Sequence, residues 1–345
     1  MRHIRPVPSM RVERCAPILA DLRDGAWLAP ETWATPRALH AVLRQVAARD
    51  LSAGRLLEGH ANAHRLIRAH GTPAQLAEAL AAMRDGQLYG VWAADGDRPV
   101  SWDGRTLSGA KSFASGLGMA RRAIVAARLQ DPADPARSAG RQLVIVDVDD
   151  TRRHRPEDWD VSGMGDSCSG GFDCTGLAGQ PLGAPDVYTA EPQFIGGTWR
   201  IAATTLGGVV GLLDRARAAL GRRGHLEADA QLLRLAPLGI RALAADAAIV
   251  RAAEFAEGPA GRAEPERAAT LSISTRLLME ELGQDAIAAV ERSVGLGMFA
   301  LDDPVGRMAR DLACYLRQAA RDAMTLRVGR DLFVGDDTFE SWFDA

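Results

Sequence analysis

Among residues able to carry chemistry, one lysine stands alone. Of 41 Lys and Arg residues, only Lys111 is a lysine. A desolvated lysine can be a nucleophile and form a Schiff base. No phosphate-binding cup surrounds Lys111 in the sequence, so an arginine-rich coding bias that spared one lysine is the better reading. The stretch "HANAH" sets His60 and His64 four residues apart, with Glu58 just before and His70 farther on. That spacing can present two metal ligands on one helix face. No second ligand cluster completes a site, so a surface or interface pair is expected. The four cysteines are Cys15, Cys168, Cys174 and Cys314. "CSGGFDC" lacks the tight pair spacing of a zinc or redox site. All four are expected to be free, buried or semi-buried thiols.

The elements that must position such residues follow from composition and periodicity. The chain has 345 residues, 47% of them hydrophobic, which suffices for substantial cores in two or three domains. Net charge is −3 with the basic residues dispersed. A nucleic-acid partner would need a basic face, so none is expected. The start lacks the long apolar core of a signal peptide, and no run of about 18 apolar residues could span a membrane. A cytoplasmic protein with mostly reduced thiols is the expectation.

Residues 12–86 carry apolar side chains at three–four spacing and read as helices. At 71–74 Gly71 can stop one helix, Thr72 cap the next and Pro73 open it. From 87 short apolar runs alternate with Asp-Gly and Ser-Gly turns, and 141–150 ("RQLVIVDVDD") reads as a buried strand. Residues 130–140 ("QDPADPARSAG") read as a surface loop. Beyond 198 four long amphipathic segments with short connections read as a bundle. The expected architecture is α+β. It has a helical N-terminal domain (1–86), a middle β domain (87–192) and a C-terminal four-helix bundle (193–345).

That order, together with five stretches, resembles the acyl-CoA dehydrogenase family over about residues 50–330. The stretches are "AHGTPAQ", "LSGAKSFASGLGMARRAIVAAR", "VSGMGDSCSGGFDCTGL", "AATTLGGVVGLLDRA" and "ERSVGLGMFALDDPVGRMARDL". The resemblance implies a bound FAD, an acyl-CoA or similar substrate, an electron-transfer flavoprotein as acceptor, and a homodimer or homotetramer. It places Phe113 against the flavin ring, Ser115 near its O4 and N5, and Trp92 beside the ring or pyrimidine edge. It gives Arg222 or Arg223 to the pyrophosphate of a partner subunit's cofactor, where a guanidinium matches a phosphate. Gly295 and Gly297 would leave room for that pyrophosphate. Lys111 falls where the family often has a structural lysine.

The chain also departs from the family. The N-terminal helical domain is short, and the 221–231 connection is shorter than usual. "WAADGDRPVSWDG" lacks the usual E-P-x-A-G-S-D pattern. Counting from Pro304 and Arg310-Asp311, the catalytic glutamate position falls on Ala319, and alanine accepts no proton. The other family position for a base, at the start of the first bundle helix, reads "GGTWRIAA". Gln318 matches a histidine of flavin monooxygenases with this fold. Among nearby acids, Glu291, Asp302 and Asp303 read as caps or surface groups. Asp322, one helical turn past Ala319, is a candidate base. Three readings follow: a flavin-dependent oxidoreductase acting on the CH–CH group of an acyl thioester or related substrate, a non-catalytic FAD-binding paralogue or partner subunit, and a flavin monooxygenase.

Overall fold

The computed structural model describes residues 8–131, 134–335 and 338–343. These fall into two compact units. One comprises residues up to Ala34, Arg55–Val161 and Gly165–Ala190; the other comprises Thr35–Gly54, Ser162–Met164 and Glu191 onward.

Four helices open the chain: α1 (Pro8–Asp24), α2 (Pro36–Arg49), α3 (Leu51–His70) and α4 (Pro73–Arg84). The α3–α4 junction forms as its residues dictate. The Thr72 side chain accepts from Gln75 N–H at 3.2 Å, and the Gln75 side chain accepts from Thr72 N–H at 3.0 Å. This reciprocal box satisfies donors that a helix start leaves open. Gln75 also donates to the Pro181 carbonyl at 3.0 Å, tying the helix to the sheet.

Among the described residues the first unit holds nine strands. They are β1 (Leu88–Trp92), β2 (Ser101–Trp102), β3 (Leu107–Ser108), β4 (Ala110–Lys111), β5 (Ala120–Asp131), β6 (Asp134–Asp147), β7 (His154–Arg155), β8 (Gly171–Asp173) and β9 (Gln180–Leu182). One sheet runs β3-β2-β5-β6-β9, with β1 joined to β5 in parallel; a smaller sheet runs β4-β8-β7. The core joins Ala63 and Ile67 of α3 and Met83 of α4 to Tyr89, Ile124, Ala126, Leu143 and Leu182 of the strands. The strand expected at 141–150 is the inner half of β6. The loop expected over 130–140 is instead largely the outer part of the β5–β6 hairpin, with Gln130 paired to Ser138 and Asp131 to Asp134. Its polar composition reads as a loop because those rungs lie beyond the apolar stretch, yet the backbone ladder continues. Pro132 and Ala133 are outside the described residues.

Lys111 is structural. Its Nζ is buried and donates to Asp95 at 2.6 Å, to the Ala93 carbonyl at 3.0 Å and to the Ala126 carbonyl at 2.5 Å. Three donors thus meet three acceptors, as a buried ammonium requires. The histidine pair expected at a surface or interface is instead in the core: His60 and His64 are both buried. His60 Nε2 meets the Leu28 carbonyl at 2.9 Å, and its Nδ1 accepts from Tyr89 N–H at 3.0 Å. Trp33 packs edge-on against both rings. The helix faces the strands here, which helical spacing alone does not reveal.

The cysteine expectation is corrected too. Cys15 of α1 and Cys168 form a disulfide, with Cα atoms 6.4 Å apart. They lie 153 residues apart in the chain, so no local spacing announces the pair. Cys174 and Cys314 are free. Burial pushes the Cys174 thiol up to about 12, which leaves it unreactive.

The second unit gathers α2 with α5 (Trp199–Arg222), α6 (Asp229–Glu257), α7 (Pro259–Ala263), α8 (Pro265–Val294), α9 (Pro304–Tyr315) and α10 (Arg321–Phe333). Helix α2 lies close on α5 because Gly207 and Gly211 carry no side chain. A Cβ there would stand 2.5 Å from the Arg44 carbonyl oxygen and 2.3 Å from that of Ala48. Arg215 then donates to the last carbonyls of α2, at 2.8 Å to Ala48 and 2.5 Å to Arg49. Asp303 caps α9, accepting from Val305 and Gly306 N–H at 3.0 and 2.9 Å, as its position before Pro304 suggested.

The fourth bundle segment is not one helix. It breaks between Tyr315 and Arg321, and Ala320 adopts φ +62. Arg276 of α8 donates to the Ala319 carbonyl at 3.0 Å, and Gln318 donates to that of Tyr315 at 2.8 Å. No Gly or Pro marks the break, so periodicity reads straight through it.

Candidate functional site

Two turns of the first unit are laced together. Ala114 and Gly170 exchange backbone hydrogen bonds at 2.8 and 3.2 Å, Gly116 N–H donates to Ser167 at 2.9 Å, and Leu117 N–H to Cys168 at 2.9 Å. The lacing sets three serine hydroxyls in a row. Ser167 and Ser169 are 2.8 Å apart, and Ser169 donates to Ser115 at 2.9 Å. Ser167 and Ser169 are buried, whereas Ser115 is half-buried and ends the row.

Phe113 begins the same turn. Its φ is +55, rare for an aromatic residue, and 61% of it is exposed. Backbone strain of this kind persists only where the surroundings hold it, here the Ala114–Gly170 pair. Trp159 stands edge-on to Phe113 at 5.9 Å. Trp92, expected beside a bound ring, is buried; its indole donates to the Ser115 carbonyl at 3.1 Å and packs on Phe172. It positions Ser115 and offers no open face. The first unit therefore brings Trp92, Phe113 and Ser115 together.

In the second unit, Arg223, Gly295 and Gly297 come together. Arg223 donates to the Val294 carbonyl at 2.7 Å, at the end of α8, where a cation offsets the helix dipole. Gly295 takes φ +74 and ends that helix, its N–H bonding to Glu291. A Cβ on Gly297 would lie 2.9 Å from the Arg223 guanidinium. Arg222, next to it, is exposed.

The turn between α9 and α10 carries Gln318, Ala319 and Ala320. Asp322 does not share a face with Ala319: it lies in the first turn of α10 with its side chain 96% exposed, 3.8 Å from Arg321. The two residues sit on opposite sides of the helix break, so helical spacing does not relate them. Glu280 of α8 is buried and pairs with Arg321 at 3.2 Å. Glu191 accepts from the Ile195 and Gly196 N–H groups, and burial raises its carboxyl above the usual range. Among the described residues no group of three metal-ligating side chains is found.

No protein-family model matches this chain, and no curated protein matches it in sequence. Solved structures do. Butyryl-CoA dehydrogenase from Megasphaera elsdenii aligns with TM-score 0.74 at 18% identity, covering 91% of this chain and 89% of that one. The chain has the acyl-CoA dehydrogenase fold. Dibenzothiophene monooxygenase from a Paenibacillus strain aligns with TM-score 0.70 at 17% identity, over 95% and 97% of the two chains. A KijD3 in complex with dTDP aligns with TM-score 0.69 at 17% identity, over 96% and 98%. The order helices, strands, helices, read from periodicity, is that of this fold. The residues that sequence reasoning missed are Ser167 and Ser169, visible only as "SCS" within a quoted stretch, and the Cys15–Cys168 pair. Among the described residues no helix is long and apolar enough to cross a membrane.

Proposed function

We propose that this protein is a flavin-dependent oxidoreductase that does not take a substrate proton through residue 319. The observation that carries the reading is the turn at 113–115. An aromatic ring is held exposed against its hydrophobic preference, two residues from a hydroxyl aligned by buried partners. That pairing suits a planar heterocycle with hydrogen-bond acceptors on its edge. An isoalloxazine is such a group, so the residues present fit a flavin. When bound it supplies a two-electron acceptor.

In this reading Phe113 packs on the ring, Ser115 donates to its O4 or N5 edge, and Trp92 holds the Ser115 carbonyl. Arg222 or Arg223 would meet the phosphates of a cofactor held by a partner subunit, with Gly295 and Gly297 leaving room for them. FAD is the proposed form, an acyl thioester or related molecule the proposed substrate, and an electron-transfer flavoprotein the proposed acceptor. Ala319 cannot remove an α-proton, so α,β-dehydrogenation by the family's usual route is not proposed. A second reading is favoured by the alanine at 319: a reaction with oxygen, as in monooxygenases of this fold, needs no carboxylate there. Gln318, where such monooxygenases carry a histidine, would then serve as a hydrogen-bond donor and not as a base.

The test is the visible spectrum of the purified protein, followed by anaerobic titration with a panel of acyl-CoAs. A two-band flavin spectrum that bleaches with a thioester supports the first reading. Bound flavin that ignores thioesters but, once reduced with dithionite, is reoxidised rapidly by oxygen through a hydroperoxide supports the second. A colourless protein that refuses FAD and FMN overturns both in favour of a non-catalytic scaffold or partner subunit. In that event Ala319→Glu does not restore activity.

A further inference from the structure

The row Ser167–Ser169–Ser115 has a direction, and the direction follows from counting protons. Each serine hydroxyl has one hydrogen to give and can accept two. Ser169 gives its hydrogen to Ser115 at 2.9 Å. The 2.8 Å contact between Ser167 and Ser169 must therefore be donated by Ser167. Both inner protons are then committed, and the Ser115 oxygen already accepts one. Its own hydrogen is the one the row has left to offer. Ser115 is half-buried at the end of the row, whereas Ser167 and Ser169 are 1% and 5% exposed.

We propose that Ser169 is a positioning residue that orients the Ser115 proton toward a ligand acceptor. It acts through Ser115 and touches no ligand itself. Two features hold it in place. The backbone lacing of 114–117 to 167–170 fixes the two turns against each other. The Cys15–Cys168 disulfide anchors the residue between the two buried serines, at φ +44, to α1. A hydroxyl that is both placed and polarised beforehand binds an acceptor without first paying to reorient. Aligned hydroxyls also strengthen one another in a low-dielectric setting. The proposal rests on the flavin reading for the identity of the acceptor, and on the hydroxyl geometry for the rest.

The experiment uses the full chain with four variants: Ser169→Ala, Ser115→Ala, the double variant, and Ser169→Thr. FAD is titrated into each, and the flavin absorption band is recorded. One hydrogen bond to an oriented donor is worth about tenfold in affinity. Ser169→Ala is expected to lose about that much and to shift the band as Ser115→Ala does. The double variant loses no more than Ser115→Ala alone, and Ser169→Thr, which keeps the hydroxyl, returns to within about twofold of the parent. Losses that multiply in the double variant overturn the proposal, as does a Ser169→Ala variant with unchanged affinity and spectrum. Urea unfolding of the ligand-free variants supplies the readout that needs no cofactor. Coupled hydroxyls make the effects of the single variants on the unfolding constant non-multiplicative by about threefold or more. Independent effects there overturn the row itself. If the parent binds no flavin but the unfolding cycle shows coupling, the flavin reading falls and the oriented hydroxyl stands.

Discussion

His60 is held neutral by its surroundings. Both ring nitrogens are engaged, Nε2 giving its hydrogen to Leu28 and Nδ1 accepting from Tyr89. A second proton on Nδ1 would face the Tyr89 N–H and break that bond. Burial accordingly lowers its pKa from 6.5 to about 4. Above pH 6.5 the imidazole is neutral in the folded and unfolded chain, and its full contribution to stability is present. As pH falls from 6.5 toward about 4, the unfolded chain takes up a proton that the folded chain refuses, so stability drops. At about 1.4 kcal/mol per pKa unit, the loss over that window is about 3 kcal/mol. Urea unfolding from pH 8 to pH 4 measures it, and His60→Leu flattens that limb. The variant also costs about 2–4 kcal/mol at neutral pH, because a buried carbonyl and a buried N–H lose their partner. An unchanged acid limb in His60→Leu would assign the loss to other groups. At this scale the sequence was legible where chemistry is local. Asp303, Pro304 and Thr72–Gln75 act as their types and spacing require. His60 was not legible, because its two partners lie 32 and 29 residues away and only folding brings them to it.

At the scale of elements, two features that periodicity does not announce bear on the candidate site. The first is the turn from Leu316 to Ala320. Periodicity runs on through it, and a guanidinium on α8 supplies what a helix-stopping residue would otherwise provide. Ala320 holds φ +62, a conformation that a Cβ disfavours. Ala320→Gly is therefore expected to stabilise the protein by about 0.5–1 kcal/mol, read as a raised urea midpoint with unchanged slope. A destabilised variant would mean that the turn is not left-handed at that residue. The second is α1. Its tie to Cys168 spans 153 residues, so oxidation removes much freedom from the unfolded chain. Reduction, or Cys15→Ser, is expected to cost about 2–4 kcal/mol. Thiol counting before and after reduction accompanies the measurement: four free thiols in the untreated protein would refute the bond. The same loss should weaken flavin binding, because Cys168 sits between the two serines that align Ser115.

At the scale of the whole molecule, the order of helical, strand and helical segments was legible because each kind of element has its own period, and that order is the fold's. What covers the outer surfaces of the second unit was not, because periodicity marks an apolar face without naming its partner. The structure leaves several apolar side chains uncovered there. Leu296 is 86% exposed and Leu301 93%, in the segment that follows α8; Leu233 and Leu243 of α6 are each 77% exposed. Exposed leucines of this kind mark surfaces that another chain covers. A second copy of the same chain is the simplest partner, since closed symmetric pairs are the commonest assemblies. Light scattering at micromolar concentration is expected to give a mass of twice or four times 36.8 kDa. Leu296→Asp with Leu301→Asp tests one stretch, and Leu233→Asp with Leu243→Asp the other. Each places charges where the assembly would bury them, and the pair that lies in the interface shifts the mass to that of the monomer. Where the Leu296 stretch is the interface, flavin affinity falls together with the mass, since Gly295, Gly297 and Arg223 adjoin it. A parent protein that is monomeric at that concentration would remove the second-copy argument, and with it the assignment of Arg222 or Arg223 to a cofactor held by a neighbouring subunit.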